Sequence, residues 1–261
     1  MNTFSAISLS LSDLLIAALL IALSLIISLT LSLKLEKALI IATLRTVIQL
    51  SLIGLALSWI FAQTHVAPII ALLCLMTLIA AWAARNRIST PYRGLLWDSL
   101  LALMISCWSV ALVVVWLILQ LDPWYQPQYI IPLLGLILGN ALTGISLTME
   151  HLIDALHDKK AHINNALALG ATPWEACREQ ARRAITLGMM PTINSMTVVG
   201  LVSLPGMMTG QILAGADPTQ AVRYQILTMF MIAAGSALGC MIITLRIQRR
   251  FFDQRSRLLV T

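Results

Sequence analysis

The chain has 261 residues, of which 59% are hydrophobic and only 11% are charged. This charged fraction is less than half of that in soluble domains, so the composition excludes a soluble protein and indicates one membrane domain over residues 1–261. The net charge of +6 does not indicate nucleic-acid binding, because the basic residues are spread between apolar segments and form no cluster.

Apolar segments predict an all-α integral membrane protein with seven transmembrane helices. The predicted spans are 14–33, 38–61, 66–83, 95–120, 129–149, 192–214 and 222–245. With the N-terminus outside and the C-terminus in the cytosol, 15 of the 17 Lys and Arg residues lie in inner segments and none lies in an outer loop. The two exceptions are Arg45, in the second span, and Arg223, at the outer edge of the seventh. This asymmetry follows the positive-inside rule and predicts a multi-pass protein of the bacterial inner membrane.

Two of the predicted spans contain polar side chains that need an explanation. Arg45 is expected either to extend to the inner headgroups or to pair with Asp98, at the inner end of the fourth span. Gln49, one turn deeper, and Asn140, in the fifth span, are candidates for lining a pathway through the membrane. For both residues the alternative is an interhelical hydrogen bond.

Three acidic residues and a histidine follow the fifth span at intervals of four residues. They are Glu150, Asp154, Asp158 and His162. On a helix that continues into the cytosol they form one stripe of oxygen and imidazole groups, which suits the entry of a divalent metal. A solvated helix face is the alternative, and the stripe does not identify the metal.

The long inner loop, residues 150–191, contains a helix–turn–helix signal. Gly170 is suited to end a first helix in the left-handed conformation. Thr172 and Glu175 match a capping box for a second helix, and Pro173 suits its first turn. The pattern therefore predicts a rigid cytosolic segment, called the elbow below. The elbow covers Ala161–Arg183, and its central residues are Ala168, Gly170, Ala171, Thr172, Pro173 and Glu175.

The sixth predicted span contains Pro205 near its middle, where the missing backbone N–H is expected to kink the helix. On a continuous helix, Met196, Gly200, Ser203 and Met207 share one face. This face either lines a substrate pathway, where thioether and hydroxyl groups make weak contacts, or packs against a neighbouring helix.

Several motifs together resemble one known family. The elbow segment 170–173, Gly-Ala-Thr-Pro, is similar to the loop that couples ABC-transporter permeases to their ATPase subunits. Segments 200–210, 214–218 and 224–226, together with 139–141, resemble the signature of the FetB-type (YbbM-like) iron-export ABC transporter permease family. The resemblance extends over nearly the whole chain.

The resemblance implies a permease subunit that exports iron or a related metal from the cytosol. It also implies a homodimer of this chain in the bilayer, with two copies of an ABC ATPase subunit bound at the elbows. ATP and Mg²⁺ are expected only in that partner, because this chain has no phosphate-binding loop and none of its lysines follows a glycine. We therefore expect the chain itself to have no cofactor, no enzymatic activity and no nucleic-acid partner.

Three other functions stay open. An ATPase-coupled permease of this kind would also suit a small molecule that is not a metal. A secondary transporter is expected to have acidic residues at mid-membrane, whereas Asp13 and Asp98 both lie near the ends of spans. A membrane scaffold would use the same elbow to bind a partner without transporting anything.

Overall fold

A computed structural model describes residues 10–61, 65–253 and 258. The predicted outer segment before residue 10 and the basic tail residues Arg255 and Arg257 lie outside the described residues. Within the described ranges the fold consists of helices without a β-strand, as predicted. The α-helices are α1 (Leu11–Thr30), α2 (Glu36–Phe61), α3 (Val66–Arg85), α4 (Leu95–Val113), α5 (Pro127–Asp158), α6 (Lys160–Ala168), α7 (Pro173–Val198), α8 (Gly206–Leu213) and α9 (Pro218–Phe251). A π-helical turn, Val114–Ile118, extends α4.

Six of the described helical segments are long and apolar enough to cross a membrane. They are Ser12–Thr30, Glu36–Ala56, Val66–Arg85, Leu95–Ile118, Pro127–Asp158 and Pro218–Phe251. These six segments coincide with six of the predicted spans. The main difference is in α5, which continues past the predicted end of its span at residue 149 as far as Asp158.

The sixth predicted span, 192–214, is not a single helix. α7 ends and α8 begins on either side of a turn at residues 199–205. The helix is interrupted because Gly200 has a positive φ of 84° and its N–H donates to the carbonyl oxygen of Ser203 at 2.9 Å. Pro205 has no backbone N–H, so it cannot donate the hydrogen bond to the carbonyl oxygen four residues earlier that would continue the helix. The expected kink is therefore a complete break in the helix.

The chain divides into two compact units. The first contains α1, α2 and Leu213–Ala216, and the second contains the remaining described residues. In the first unit the Ser28 hydroxyl, on α1, donates to the Glu36 carboxylate at the start of α2 at 2.7 Å. Most of the described Leu and Ile side chains of these two helices are exposed, which is the surface expected of helices that contact lipid.

In the second unit, α5 is the central helix and packs against α3, α4, α7 and α9. Its contact with α7 depends on glycine, because a Cβ added to Gly188 would lie 2.6 Å from the Gly144 carbonyl oxygen. α9 approaches α5 similarly, because a Cβ added to Gly239 would lie 2.8 Å from Cδ1 of Ile145. Small residues thus allow three helices to pack closely, as is common in membranes.

Candidate functional site

The elbow contains the helix ending that its sequence predicts. The Ala171 N–H donates to the Ala166 carbonyl oxygen at 3.1 Å, and the Gly170 N–H donates to the Leu167 carbonyl oxygen at 3.0 Å. This pair of bonds is a Schellman motif, which favours a left-handed residue, and Gly170 has a φ of 94°. No described atom lies within 4 Å of a Cβ built at Gly170. Backbone conformation, rather than crowding, therefore explains the glycine.

α7 begins with the predicted capping box. The Glu175 N–H donates to the Thr172 hydroxyl at 3.3 Å, and the Thr172 N–H donates to the Glu175 carboxylate at 2.8 Å. Pro173 lies in the first turn, where no intrahelical donor is needed. The backbone N–H of Thr172, followed by its hydroxyl, lowers the pKa of Glu175 by stabilising the carboxylate. The cap thereby fixes the direction in which α7 leaves the elbow.

Two large apolar side chains are exposed at the tip of the elbow. Leu169 is 90% exposed and Trp174 is 45% exposed, on either side of the turn at Gly170. Ala168 is exposed beside them. Burial of these side chains against another surface would be favourable.

α7 connects the elbow to the broken part of the fold as one helix of 26 residues. Near its start the Cys177 thiol is buried, and burial raises the pKa of this thiol. The Gln248 amide, on α9, donates to the Cys177 sulfur at 3.0 Å. Further along α7, Ala181, Ala184 and Gly188 are also buried. α7 is therefore held against its neighbours well beyond the elbow.

A cavity of about 370 Å³ lies at the other end of α7. Its wall is formed by the end of α7, the turn at residues 199–205, α8 and α9. The side chains on the wall include those of Met196, Met208, Gln225, Met229 and Phe230. Two lining residues, Leu204 and Phe230, are 63% and 61% exposed, so the cavity opens onto the surface of the chain.

The predicted pathway face is only partly present at this cavity. Met196, Gly200 and Pro205 line the cavity, whereas Ser203 and Met207 do not. The prediction of a shared face assumed a continuous helix. Because α7 ends before the turn, residues on the two sides of the break no longer follow helical spacing.

Gln225 is a cavity residue that the sequence analysis did not select. The residue is 6% exposed, and its Oε1 accepts no hydrogen bond from any described residue. A buried amide oxygen without a partner is uncommon in folded proteins. The sequence signal for this residue is its long polar side chain at the beginning of the apolar part of α9, just after Arg223.

The other two predicted pathway residues are exposed on α2 and α5. Gln49 is exposed on α2, in the first compact unit. Asn140 is exposed on α5, and its amide donates to the Leu136 carbonyl oxygen of the same helix at 2.9 Å. The Asn140 amide thus bonds within its own helix. Asn140 is not part of the cavity wall.

The predicted stripe of metal-binding groups is divided between two helices. α5 ends at Asp158, so His162, on α6, leaves the helical register of Glu150 and Asp154. In the part of the chain that the structure describes, no group of three or more His, Cys, Asp or Glu side chains is placed to hold a metal ion. Asp158 and His162 instead line a separate groove of about 530 Å³ between α6 and α7.

Asp98, a predicted partner of Arg45, pairs within the second compact unit with residues of α9 and with Tyr92. The buried carboxylate accepts from Nε of Arg246 at 2.8 Å and from Nε of Arg250 at 3.2 Å, both on α9. The Tyr92 hydroxyl also donates to it at 2.8 Å. Burial raises the pKa of Tyr92, and the negative charge of Asp98 adds to this effect, so the phenol stays protonated.

Comparison with known proteins gives consistent matches over most of the chain. The family described as "Uncharacterised protein family (UPF0014)" matches residues 11–252. The chain is 43% identical over 219 residues to UPF0014 membrane protein slr1647 of Synechocystis sp., covering 83% of each chain. It is 39% identical over 211 residues to UPF0014 membrane protein YjkA of Bacillus subtilis, covering 80% of this chain and 82% of the relative. It is 32% identical over 249 residues to the Escherichia coli protein named "Probable iron export permease protein FetB", covering 95% of each chain. No solved structure matches the chain.

Proposed function

The chain belongs to the UPF0014 family of membrane proteins, and we propose that it is the permease subunit of an ATP-driven transporter that exports iron or a related metal. The match to FetB confirms the family resemblance predicted from the motifs. One structural observation carries the proposal. A single helix, α7, runs from a rigidly capped elbow to a cavity beside a broken helix.

The elbow is proposed as the binding surface for the ATPase subunit. Leu169 and Trp174 offer apolar contacts to a partner, and the cap at Thr172 holds them in a fixed orientation. Movement of the partner would then be transmitted along α7, because the helix is continuous from residue 173 to residue 198 and runs through Pro191 without a break. ATP and Mg²⁺ belong to the partner in this proposal, since the chain has no phosphate-binding loop.

We propose seven membrane crossings, with the N-terminus outside and the C-terminus in the cytosol. Six crossings correspond to the long apolar helices. The remaining crossing would be made of the second half of α7, the turn at residues 199–205, and α8 together. The orientation is supported by the charge distribution of the sequence, since the outer loops carry no Lys or Arg. In a bacterial cell this orientation corresponds to the inner membrane.

The export pathway is proposed to pass the broken helix. Asn194, Ser195 and Thr197 are exposed on the last turns of α7, next to the non-helical turn at residues 199–205. At membrane depth, such polar side chains and irregular backbone are tolerated only where they are buried in protein or line an aqueous cavity. This requirement supports a homodimer in which a second copy completes the pathway, with two ATPase subunits bound at the two elbows.

Reconstitution tests the proposal directly. The permease and its ATPase are incorporated into proteoliposomes with the elbow facing outwards, and radioiron and ATP are added outside. Export predicts ATP-dependent accumulation of iron in the lumen, which stops when the ATPase is omitted. ATP turnover without iron movement would contradict iron export, and iron movement without ATP would contradict ATP coupling.

A further inference from the structure

A buried side-chain amide, that of Gln225, lies beside the cavity. The residue is on α9 at the cavity wall, with 6% of its surface exposed. No described group donates a hydrogen bond to its Oε1. A buried polar group without a partner is unfavourable, so its presence beside a cavity points to a ligand that supplies the missing bond.

The cavity wall carries no ionisable side chain. Gln225 is its one residue with a hydrogen-bonding side chain, and the thioethers of Met196, Met208 and Met229 are the only other heteroatoms in its side chains. A divalent cation that gave up its hydration shell here would find neither a carboxylate nor an imidazole. The wall therefore suits an uncharged ligand with a mostly apolar surface.

We propose that the cavity binds the cargo in an uncharged form, and that the Gln225 amide is its polar contact. This proposal rests on the proposed function and specifies the chemical class of the cargo. Rotation of the terminal amide presents either its N–H₂ or its carbonyl oxygen to the ligand. The methionine side chains and Phe230 adapt to its apolar surface. A metal ion would accordingly enter the cavity inside a neutral chelate.

Binding to the full-length permease in lipid nanodiscs tests this assignment. The probes are radioiron-labelled ferric tris(maltolate), which is a neutral chelate, aqueous Fe(II) under reducing conditions, and Ag(I) as a soft cation. We expect the wild type to bind the chelate more tightly than either free ion. Gln225→Leu keeps a similar volume but removes the hydrogen bond, and is expected to weaken chelate binding about tenfold.

Gln211 provides a matched control. It is on α8, its Oε1 also lacks a partner among the described residues, and it is not part of the cavity wall. Gln211→Leu should therefore leave chelate affinity unchanged. Thermal unfolding of each variant shows whether it is folded. If Gln225→Leu does not fold, Gln225→Glu is used, and its added charge should abolish chelate binding and introduce binding of Fe(II).

The proposal is overturned if Fe(II) or Ag(I) binds the wild type more tightly than the chelate, or if the chelate does not bind. It is also overturned if folded Gln225→Leu keeps the wild-type affinity. The assay contains no ATPase, so its result is independent of ATP coupling. ATP-driven export of free Fe(II) in proteoliposomes, combined with a negative binding result, would leave the proposed function standing and remove this inference alone.

Discussion

Asp98 on α4 and Arg246 on α9 form an ion pair in which the carboxylate is fully buried and Nε of Arg246 lies 2.8 Å from Oδ1. With Arg250 and Tyr92, which bond the other carboxylate oxygen, this pair ties the beginning of α4 to the end of α9. Both helix ends face the cytosol in the proposed topology. The cluster is therefore expected to fix the inner end of the bundle, close to where α7 enters it.

Replacing Asp98 by Asn should destabilise the protein. The substitution leaves Arg246 and Arg250 without a counter-charge, and the cost is expected to be about 3 kcal/mol, since both arginines keep partial access to solvent. Thermal unfolding of the purified permease measures the effect. The exposed pair of Glu179 and Arg183 is the control, because Glu179→Gln should cost less than about 0.5 kcal/mol. Equal effects of the two substitutions would contradict the structural role of Asp98.

Substitutions at Gly170 should separate folding from ATPase coupling. Gly170→Val places a β-branched residue at a φ of 94°, so the Schellman turn should rearrange and redirect the elbow. We expect normal membrane insertion with loss of permease-dependent stimulation of ATP turnover. Gly170→Asn is the control, because asparagine tolerates the left-handed conformation and should keep most of the stimulation. If Val and Asn behave alike, the backbone conformation at Gly170 does not determine coupling.

The capping box predicts a specific pH dependence at the start of α7. The pKa of Glu175 is lower in the folded protein than in the unfolded chain, so the ionised carboxylate stabilises the fold above its ordinary pKa near 4.5. This contribution is lost as the pH falls through the lowered folded value. Hydrogen exchange of the first turn of α7, corrected for intrinsic rates, should show constant protection from pH 7 to 5 and a decrease at lower pH. Glu175→Gln should show weaker protection throughout and no such decrease.

Gly188 and Gly210 should respond differently to the same substitution. A Cβ at Gly188 would lie 2.6 Å from the Gly144 carbonyl oxygen, and the helices must separate to admit it. Gly188→Ala is therefore expected to cost about 1–3 kcal/mol. No described atom lies within 4 Å of a Cβ at Gly210, so Gly210→Ala should be neutral or slightly stabilising. Unfolding temperatures in one detergent measure both, and a neutral Gly188→Ala would show that α5 and α7 pack differently.

The proposed orientation is tested by labelling introduced cysteines in intact cells. Gln126 precedes α5, and Lys159 lies between α5 and α6, so the two positions should be on opposite sides of the membrane. A cysteine at Gln126 should react with an impermeant maleimide from outside. A cysteine at Lys159 should react only after permeabilisation, with the wild-type chain as background. The reverse pattern would require the opposite orientation.

The elbow could be predicted from the sequence because its hydrogen bonds are local. The bonds at Gly170 and Thr172 join residues at most five apart, so a short motif contains all the information. The interruption of the sixth span was less predictable. Pro205 predicted a kink near this position, but a complete break depends on the bond from the Gly200 N–H to the Ser203 carbonyl oxygen, which competes with helical bonding.

The Asp98 cluster could not be predicted in the same way. Arg246 and Arg250 follow Asp98 by 148 and 152 residues, and no spacing rule relates positions so far apart. Gln225 presents a related problem. Its amide is visible in the sequence, but whether it has a partner depends on how α7, α8 and α9 surround it. Charge patterns predicted on which side of the membrane Arg246 and Arg250 lie, without identifying their neighbours.

Because α7 is one continuous helix, the number of residues in it sets the angle between the side chains at its two ends. An α-helix turns by about 100° per residue. Inserting one residue between Trp174 and Met196 would therefore rotate the Met196 side chain by about 100° about the helix axis relative to the Trp174 side chain. The exposed Trp174 side chain at the elbow and the Met196 side chain at the cavity are thus in a fixed angular relationship. Many substitutions within α7 preserve that relationship, whereas a single insertion or deletion does not.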